Sequence, residues 1–304
     1  MSAISPSDPP IRPGSVGEWA LGAARDMDQA GLHFGHGTAS AIDEAAWMLS
    51  HVLDLAPDFD DAEFQRPLAP EQRARLDALL HERIETRKPL AYLIGQAWFA
   101  GLAFHVDEST LVPRSPLAEI AVDGLLPSLD FQRPQRVLDV GTGSGCIAIA
   151  LAVHWPALSV DAADISPAAL ALARRNLQRH GVAGRVRLLE SDVYDGLDDA
   201  RYDLILSNPP YVPQASMQNL PEEYRHEPAL GLVAGEDGLD IFRRLVAEAP
   251  EHLTPNGLLL VELGEAAEAA EALLEGLDAV WLEFEHGGDG VVLLDRAACV
   301  QFNS

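Results

Sequence analysis

Apolar side chains recur at helical spacing along the first part of the chain, with no convincing strand among them. Ser15 begins the pattern of a capping box, which predicts the start of a first helix. A second helix is predicted over residues 41–53, and a third begins at Pro70, because proline is favoured in the first turn of a helix. We therefore predict a small helical domain over residues 15–88, after a proline-rich and disordered start over residues 1–14.

Aromatic and β-branched residues replace this pattern from Leu90 to Pro113. Tyr92 and Ile94 belong to this stretch, which is broken by Gly101. Such a pattern predicts a β-hairpin, which we expect to bridge two domains within a hairpin and linker region over residues 89–133. The linker is placed around Pro127 to Pro134, and Ser115-Pro116 opens a further helix ahead of it.

Beyond Arg136, short apolar runs alternate with helical segments, which is typical of a doubly wound α/β sheet. Helices are predicted between the first five strands. The last two strands are expected to form an antiparallel pair at the sheet edge, joined near Gly287-Gly288. The seven predicted strands are residues 137–140, 159–164, 186–190, 202–207, 257–263, 279–285 and 291–295.

Composition excludes several classes of protein. The 304 residues are 48% hydrophobic, which is enough for two domains with a sizeable core. No apolar run approaches the roughly 18 residues that span a bilayer, and the start lacks the features of a secretory signal, so we expect a cytoplasmic protein that does not bind membranes. Only Cys146 and Cys299 are present, far apart, which argues against a disulfide framework and against a zinc site.

The chain is strongly acidic, with a formal charge of −26 from 21 Lys and Arg against 47 Asp and Glu. Such a charge repels nucleic acid phosphates and attracts basic proteins. The same acidity also keeps a protein soluble without any role in recognition.

A glycine-rich turn follows the first predicted strand of the sheet and precedes a helix. Its spacing, Gly-x-Gly-x-Gly, departs from the Gly-x-Gly-x-x-Gly of dinucleotide binders, which weakens an NAD interpretation. S-adenosylmethionine also needs close approach to the backbone, and it carries positive groups that Asp139 is placed to face. A packing turn with a structural Asp is the alternative. The residues of the predicted cofactor site here are Asp139, Gly141, Thr142, Gly143, Ser144 and Gly145.

Acidic residues also end the next two strands. Asp164 lies where a carboxylate commonly accepts both hydroxyls of a ribose. Asp192 is placed to accept from an adenine amino group, with Val193 against the ring face, although Asp192 is equally suited to capping a turn. Together with the glycine turn, these strand ends predict a site for S-adenosylmethionine.

The fourth predicted strand runs into Asn208-Pro209-Pro210-Tyr211. The two prolines fix the backbone, so the Asn208 amide and the Pro209 carbonyl can act as preset acceptors for a planar NH₂ group. Accepting both N–H bonds would favour positive charge on that nitrogen during methyl transfer, with Tyr211 packed against the acceptor. Asn-Pro-Pro is also ordinary turn chemistry. The motif and the strand ends together favour methyl transfer to an amide or amino nitrogen.

From about Ser15 to the end, the chain resembles the HemK-like protein-(glutamine-N5) methyltransferases. The resemblance lies in the segments 89–95, 99–104, 111–114, 141–145, 208–211, 227–230 and 235–239. It implies a Rossmann-like seven-stranded class I methyltransferase domain over residues 134–304 and a helical domain that recognises the substrate. It also implies that Asn208 to Tyr211 hold a glutamine, that Asn208 contacts the cofactor, and that Leu111 to Arg114 line the cofactor pocket.

Two branches of this family differ after the hairpin. The release-factor branch usually has Pro-Arg-Pro there, whereas this chain has Pro113-Arg114-Ser115-Pro116, which resembles the PrmB-type branch acting on the third protein of the large ribosomal subunit. We therefore expect a glutamine of that ribosomal protein, free or in an assembly intermediate, as the substrate. The alternatives are the release-factor glutamine, an amino group of a nucleic acid, and a catalytically silent cofactor-binding assembly factor.

Overall fold

The structure is a computed structural model that describes residues 12–55, 60–124, 126, 129–133, 135–285, 287, 288 and 290–304. Most of the predicted disordered start, and Pro127 and Pro134 of the predicted linker, lie outside these residues. The described chain forms two compact units. The first contains the residues up to Gly95 together with Pro221–His226, and the second contains Gln96–Leu220 with Glu227–Ser304.

The first unit is helical, and its helices begin where the sequence supplies caps. The Ser15 hydroxyl accepts from the Glu18 amide, and the Ser40 hydroxyl accepts from the Asp43 amide. Pro70 occupies the first turn of its helix, as predicted. Among the described residues, no helix is both long and apolar enough to cross a membrane. The helices are α1 (Val16–Gln29), α2 (Ala41–Leu53), α3 (Asp61–Phe64), α4 (Pro70–Thr86) and α5 (Leu90–Ile94).

A buried ion-pair network joins α2, α4 and the segment Pro221–His226 inside this unit. Arg83 is 1% exposed, and its Nε donates to Glu44 Oε1 at 2.6 Å. Its Nη1 lies 3.6 Å from Oε1 of Glu223, which also accepts from the His33 amide at 3.0 Å. Burial raises the pKa of Glu44, and the adjacent Arg83 opposes that rise. The segment is thus held by charge in an otherwise apolar unit.

The region that was predicted to begin a hairpin starts with the short helix α5. Tyr92 and Ile94 therefore lie in a helix and not in a strand, so this part of the prediction was wrong. Gly95 adopts a left-handed conformation with φ of 68° and ends the helix. The hairpin itself follows in the second unit as an antiparallel pair, β1 (Gln96–Phe99) and β2 (Leu102–His105).

Seven strands form the main sheet of the second unit, as predicted. Their order is β5-β4-β3-β6-β7-β9-β8, in which β9 runs antiparallel to both neighbours and all other pairs are parallel. This is the Rossmann-like arrangement expected for the class. The strands are β3 (Gln135–Val140), β4 (Leu158–Asp164), β5 (Val186–Glu190), β6 (Tyr202–Ser207), β7 (Leu253–Glu262), β8 (Ala279–Leu282) and β9 (Val291–Asp295).

Helices cover both faces of this sheet, because successive side chains of each strand point to opposite faces. Val137 and Leu204 pack in one apolar cluster with α7, whereas Leu138 and Ile205 pack in a second cluster with α9 and α11. The central strands are therefore buried on both sides, which explains their nearly continuous apolar sequences. The helices of this unit are α6 (Leu117–Asp123), α7 (Cys146–His154), α8 (Pro167–His180), α9 (Asp240–His252), α10 (Ala267–Leu273) and α11 (Arg296–Phe302).

The connection between β5 and β6 departs from the prediction of a helix there. Residues 191–201, all of which the structure describes, form turns. The Gly196 amide donates to the Ser191 hydroxyl at 2.9 Å, and a Cβ on Gly196 would collide with the Glu190 carbonyl. Four of these eleven residues are Asp, which favours turns, and the close approach of Gly196 to Glu190 and Ser191 folds the segment back onto the end of β5 in place of a helix.

The buried network generates a prediction about stability. Replacing Glu223 by Ala leaves the Arg83 charge buried with one partner fewer, so we expect the first unit to lose roughly 3 kcal/mol of unfolding free energy. Hydrogen exchange of the α2 and α4 amides would measure this loss. The matched control is Glu222→Ala, because that side chain is 53% exposed and pairs with Arg87 at the surface, which is worth less than about 1 kcal/mol. Equal exchange in Glu223→Ala and wild type would contradict the prediction.

Candidate active site

The glycine turn lies between β3 and α7 and is fastened to the neighbouring strand. The Gly141 and Thr142 amides both donate to the Ala163 carbonyl of β4, at 2.8 and 2.9 Å. Gly141 and Gly143 have φ of 73° and 55°, and a Cβ on either would find no atom nearer than 3.9 Å. These two glycines therefore allow the left-handed backbone and leave the turn open to a ligand. Gly145 instead permits close packing, since its Cβ would lie 3.0 Å from Ile149.

Asp139 is fully buried directly below this turn. Its Oδ2 accepts from the Thr142 hydroxyl at 2.6 Å and from the Ala148 amide at 3.3 Å. Its Oδ1 has no hydrogen-bond partner among the described residues. Burial raises the pKa of Asp139 to about 7, the two hydrogen bonds lower it, and nearby Asp164 adds to the rise. A buried, unpaired carboxylate oxygen beside an open turn fits a ligand that carries positive charge.

Asp164 ends β4 next to the same turn. Its Oδ2 accepts from the Gly143 amide and its Oδ1 from the Ser166 amide, both at 2.8 Å. Burial raises the pKa of this carboxyl, and the two backbone hydrogen bonds oppose the rise. Each oxygen keeps a second lone pair, which suits the acceptance of a pair of hydroxyls. Ile165 follows with 47% of its surface exposed, and the sequence reasoning did not single out this apolar side chain beside Asp164.

Asp192 and Val193 follow β5 but are engaged within the protein. Asp192 Oδ1 accepts from Arg244 of α9 at 2.7 Å. Val193 has φ of 51°, which is rare for a β-branched residue, and its side chain is buried in the apolar cluster of α9 and α11. The adenine contacts of these two residues stay predictions.

The motif Asn208-Pro209-Pro210-Tyr211 follows β6 and lies beside the glycine turn. Val140 pairs with Ser207 in the sheet, and a Cβ on Gly141 would lie 4.0 Å from the Asn208 carbonyl oxygen. The structure thus brings together the ends of β3, β4 and β6, where the predicted cofactor and acceptor residues stand. This edge is the usual ligand position in an open α/β sheet, because the strand order reverses beside β3.

Tyr211 is anchored on the end of β7. A Cβ on Gly264 would lie 2.6 Å from Cε2 of the tyrosine ring, so the ring rests on bare backbone. The hydroxyl of Tyr211 donates to Glu262, the last residue of β7. Packing of the ring against an acceptor stays a prediction.

The segment Leu111 to Arg114 is held by Glu227, whose side chain is fully buried. Glu227 accepts from the Val112 amide at 3.0 Å and from both terminal nitrogens of Arg114 at 2.6 Å. Leu111 packs at the backbone of Gly231, since a Cβ there would lie 3.1 Å from the leucine. The guanidinium of Arg114 therefore forms an ion pair inside the protein. The predicted place of Arg114 in the cofactor pocket stays a prediction.

Comparison with known proteins identifies the family. The family profile described as "PrmC N-terminal domain" matches residues 34–95, and that described as "Methyltransferase small domain" matches residues 119–223. A protein of Bordetella pertussis named ribosomal protein uL3 glutamine methyltransferase is 43% identical, covering 90% of this chain and 92% of its own. Proteins with the same name from Xylella fastidiosa and Francisella tularensis are 46% and 38% identical, covering 90% and 91% of this chain and 87% and 88% of theirs.

The chain belongs to the ribosomal protein uL3 glutamine methyltransferase family. The predicted resemblance and its ribosomal-protein branch are thereby confirmed, as is the predicted class of fold. Membership spans both units, because the alignments cover about nine tenths of the chain.

Two acidic residues near this site were not singled out by the sequence reasoning. The ion pair of Glu227 with Arg114 joins residues 113 positions apart, which no local pattern reveals. Glu262 could have been found from the sequence, because it is an acid at the end of an apolar strand, as Asp164 is.

The buried state of Asp139 generates a prediction about pH. Its folded pKa is raised above the unfolded value of 3.8, so its contribution to stability is present at low pH and is lost as pH rises through about 7. Asp139→Asn should therefore raise the unfolding free energy by a few kcal/mol at about pH 8, and the gain should shrink towards about pH 4.

Chemical unfolding at several pH values, without ligand, would measure this difference. The matched control is the exposed Asp199→Asn, for which we expect a change within about 0.5 kcal/mol. A gain in Asp139→Asn that does not depend on pH would contradict the assignment.

Proposed function

We propose that this protein transfers the methyl group of S-adenosylmethionine to the side-chain amide nitrogen of a glutamine in ribosomal protein uL3. The names of its relatives support the substrate. The observation that carries the chemistry is the position of Asn208 and Pro209 beside the open glycine turn at the reversal of strand order. We place the reaction in the cytoplasm, where ribosomal proteins meet their ribosomes.

The residues at the ends of β3 and β4 would hold the cofactor. The open backbone of Gly141 and Gly143 admits it closely, Asp164 offers acceptors for ribose hydroxyls, and Asp139 offers its unpaired oxygen to a positive group. S-adenosylmethionine supplies, when bound, a methyl group activated by a sulfonium. A bound cation beside Asp139 would also lower the pKa that burial has raised.

Asn208 and Pro209 would bind the glutamine that receives the methyl group. An amide nitrogen is a poor nucleophile because its lone pair is shared with its carbonyl. The Asn208 side-chain oxygen and the Pro209 carbonyl would each accept one N–H of the glutamine amide, which favours positive charge on nitrogen and fixes its direction of attack. The sulfonium would leave as the neutral thioether S-adenosylhomocysteine, and the methylated nitrogen would then lose one proton to solvent, so no general base has to act first.

Charge supports a basic protein as the partner. The chain carries −26 overall, which draws basic protein surfaces towards it and repels nucleic acid phosphates. We propose that the partner is uL3 itself, free or in an assembly intermediate, without specificity for nucleic acid, and that residues 15–88 recognise it.

The substrate is tested with labelled cofactor and three acceptors presented in parallel: free uL3, immature large-subunit particles and release factors, all from cells that lack the enzyme. We expect label in uL3, on a single glutamine located by mass spectrometry. The ratio between free protein and particles identifies the form that is used. Label in the release factors alone, or in nucleic acid, would overturn the proposal.

The acceptor role of Asn208 is tested by Asn208→Ala. Loss of one oriented hydrogen-bond donor in an oxyanion hole lowers kcat by roughly 100- to 1000-fold, and we expect a loss of the same order for this oriented acceptor. Single-turnover methylation of uL3 measures it, with binding of S-adenosylhomocysteine followed separately. The control is the exposed Gln218→Ala in the following loop, for which we expect wild-type kcat. Full methylation by Asn208→Ala would exclude this mechanism and leave a binding role.

A further inference from the structure

Glu262 is a buried acid at the carboxyl edge of the sheet that none of the roles above uses. It is 5% exposed and ends β7, close to the motif that follows β6. Its Oε2 accepts from the Ser115 hydroxyl at 2.5 Å, and its carboxylate also accepts from the Tyr211 hydroxyl. Glu262 therefore joins the segment before α6 to the last residue of the motif.

Two glycines make room for Tyr211 beside this acceptor. Gly264 has φ of 45°, and a Cβ there would lie 3.0 Å from the tyrosine hydroxyl and closer still to the ring. Gly238 likewise lets the Tyr211 carbonyl approach its backbone, where a Cβ would collide with it. Two bare backbone positions thus contact Tyr211, and its hydroxyl donates to Glu262.

The charge on Glu262 decides whether both hydroxyls can donate. An ionised carboxylate is an acceptor only and takes both hydrogen bonds, whereas a protonated one needs an acceptor of its own. Burial raises the pKa of Glu262 to about 7, and Ser115, Arg114 and Tyr211 oppose that rise. The guanidinium of Arg114 is the cation facing it, itself paired with Glu227. The network therefore changes its hydrogen bonding near neutral pH.

We propose that Glu262 is a positioning residue that, by accepting from Tyr211 and Ser115, fixes Tyr211 and through it the Asn208-Pro209 acceptors for the glutamine amide. This inference deepens the proposed function and rests on it. Glu262 touches neither reacting group. It acts through Tyr211, which is three positions from Asn208 on a backbone that two prolines stiffen.

The kinetic test uses Glu262→Gln, which keeps the shape and removes the charge. We expect kcat for uL3 to fall about tenfold, as for loss of one hydrogen bond to a charged group, with KM and S-adenosylhomocysteine affinity within about twofold. In wild type, we expect kcat to fall below about pH 7 as Glu262 becomes protonated, and this fall should be absent from the variant. Tyr211→Phe should lower kcat by a similar factor, and the double variant should be no slower than either single one.

Ser115→Ala should lower kcat by a smaller factor, because Tyr211 keeps its acceptor. The matched control is Glu265→Gln, an exposed acid three positions further along, which should match wild type in kcat and pH profile. Wild-type kcat in Glu262→Gln, or losses that multiply in the double variant, would overturn the proposal.

A second readout does not depend on methylation. The carboxyl stretching band of protonated Glu262, obtained as the infrared difference between wild type and Glu262→Gln, should titrate near pH 7 and shift in Tyr211→Phe. A band that is unchanged in Tyr211→Phe would overturn the positioning role, whatever the methylation activity of that variant. If the band shifts in Tyr211→Phe but the protein methylates no uL3 glutamine, the hydrogen-bond network is supported and the proposed function is contradicted. The positioning role then falls with the proposed function on which it rests.

Discussion

Parallel pairing of β3 with β4 on one side and β6 on the other is the constraint on which the site depends. Val140 pairs with Ala163 and also with Ser207, so three strand ends meet at one level. The chain leaves β3 and β6 towards opposite faces of the sheet, which opens a crevice between the two connections. The hydrogen bonds from Gly141 and Thr142 to Ala163 hold one wall of that crevice, and the proline-stiffened motif forms the other.

The carboxyl edge of the sheet also concentrates buried acids. Asp139, Asp164 and Glu262 are each nearly or fully buried, and burial raises the pKa of all three. Such groups weaken the isolated fold at alkaline pH, and they are tolerated where ligands or hydroxyl donors need strong acceptors. The apolar clusters on both faces of the sheet supply the stability that this arrangement requires.

The sequence patterns predicted the bounds of three strands, of which two are almost wholly buried and the third, β5, lies at the edge of the sheet. Residues 186–190, 202–207 and 291–295 are strands with the predicted bounds, because apolar runs between turn residues leave few alternatives. The helix Leu90–Ile94 was missed because Gly95 supplies a local stop that outweighs the β preference of Tyr92 and Ile94. The pairings of Asp192 with Arg244 and of Glu227 with Arg114 join residues far apart in sequence, and only the fold reveals them.

The return of Pro221–His226 to the helical unit has a consequence for the order of folding during synthesis. Arg83 and Glu44 are made early, whereas Glu223, the other acid that faces Arg83, follows well over a hundred residues later. At ordinary rates of translation of about 5 to 20 residues per second, those 140 residues take roughly 7 to 28 s. The first unit thus emerges from the ribosome with Arg83 paired to Glu44 alone, and its buried network is complete only after the motif at residues 208–211 has been translated.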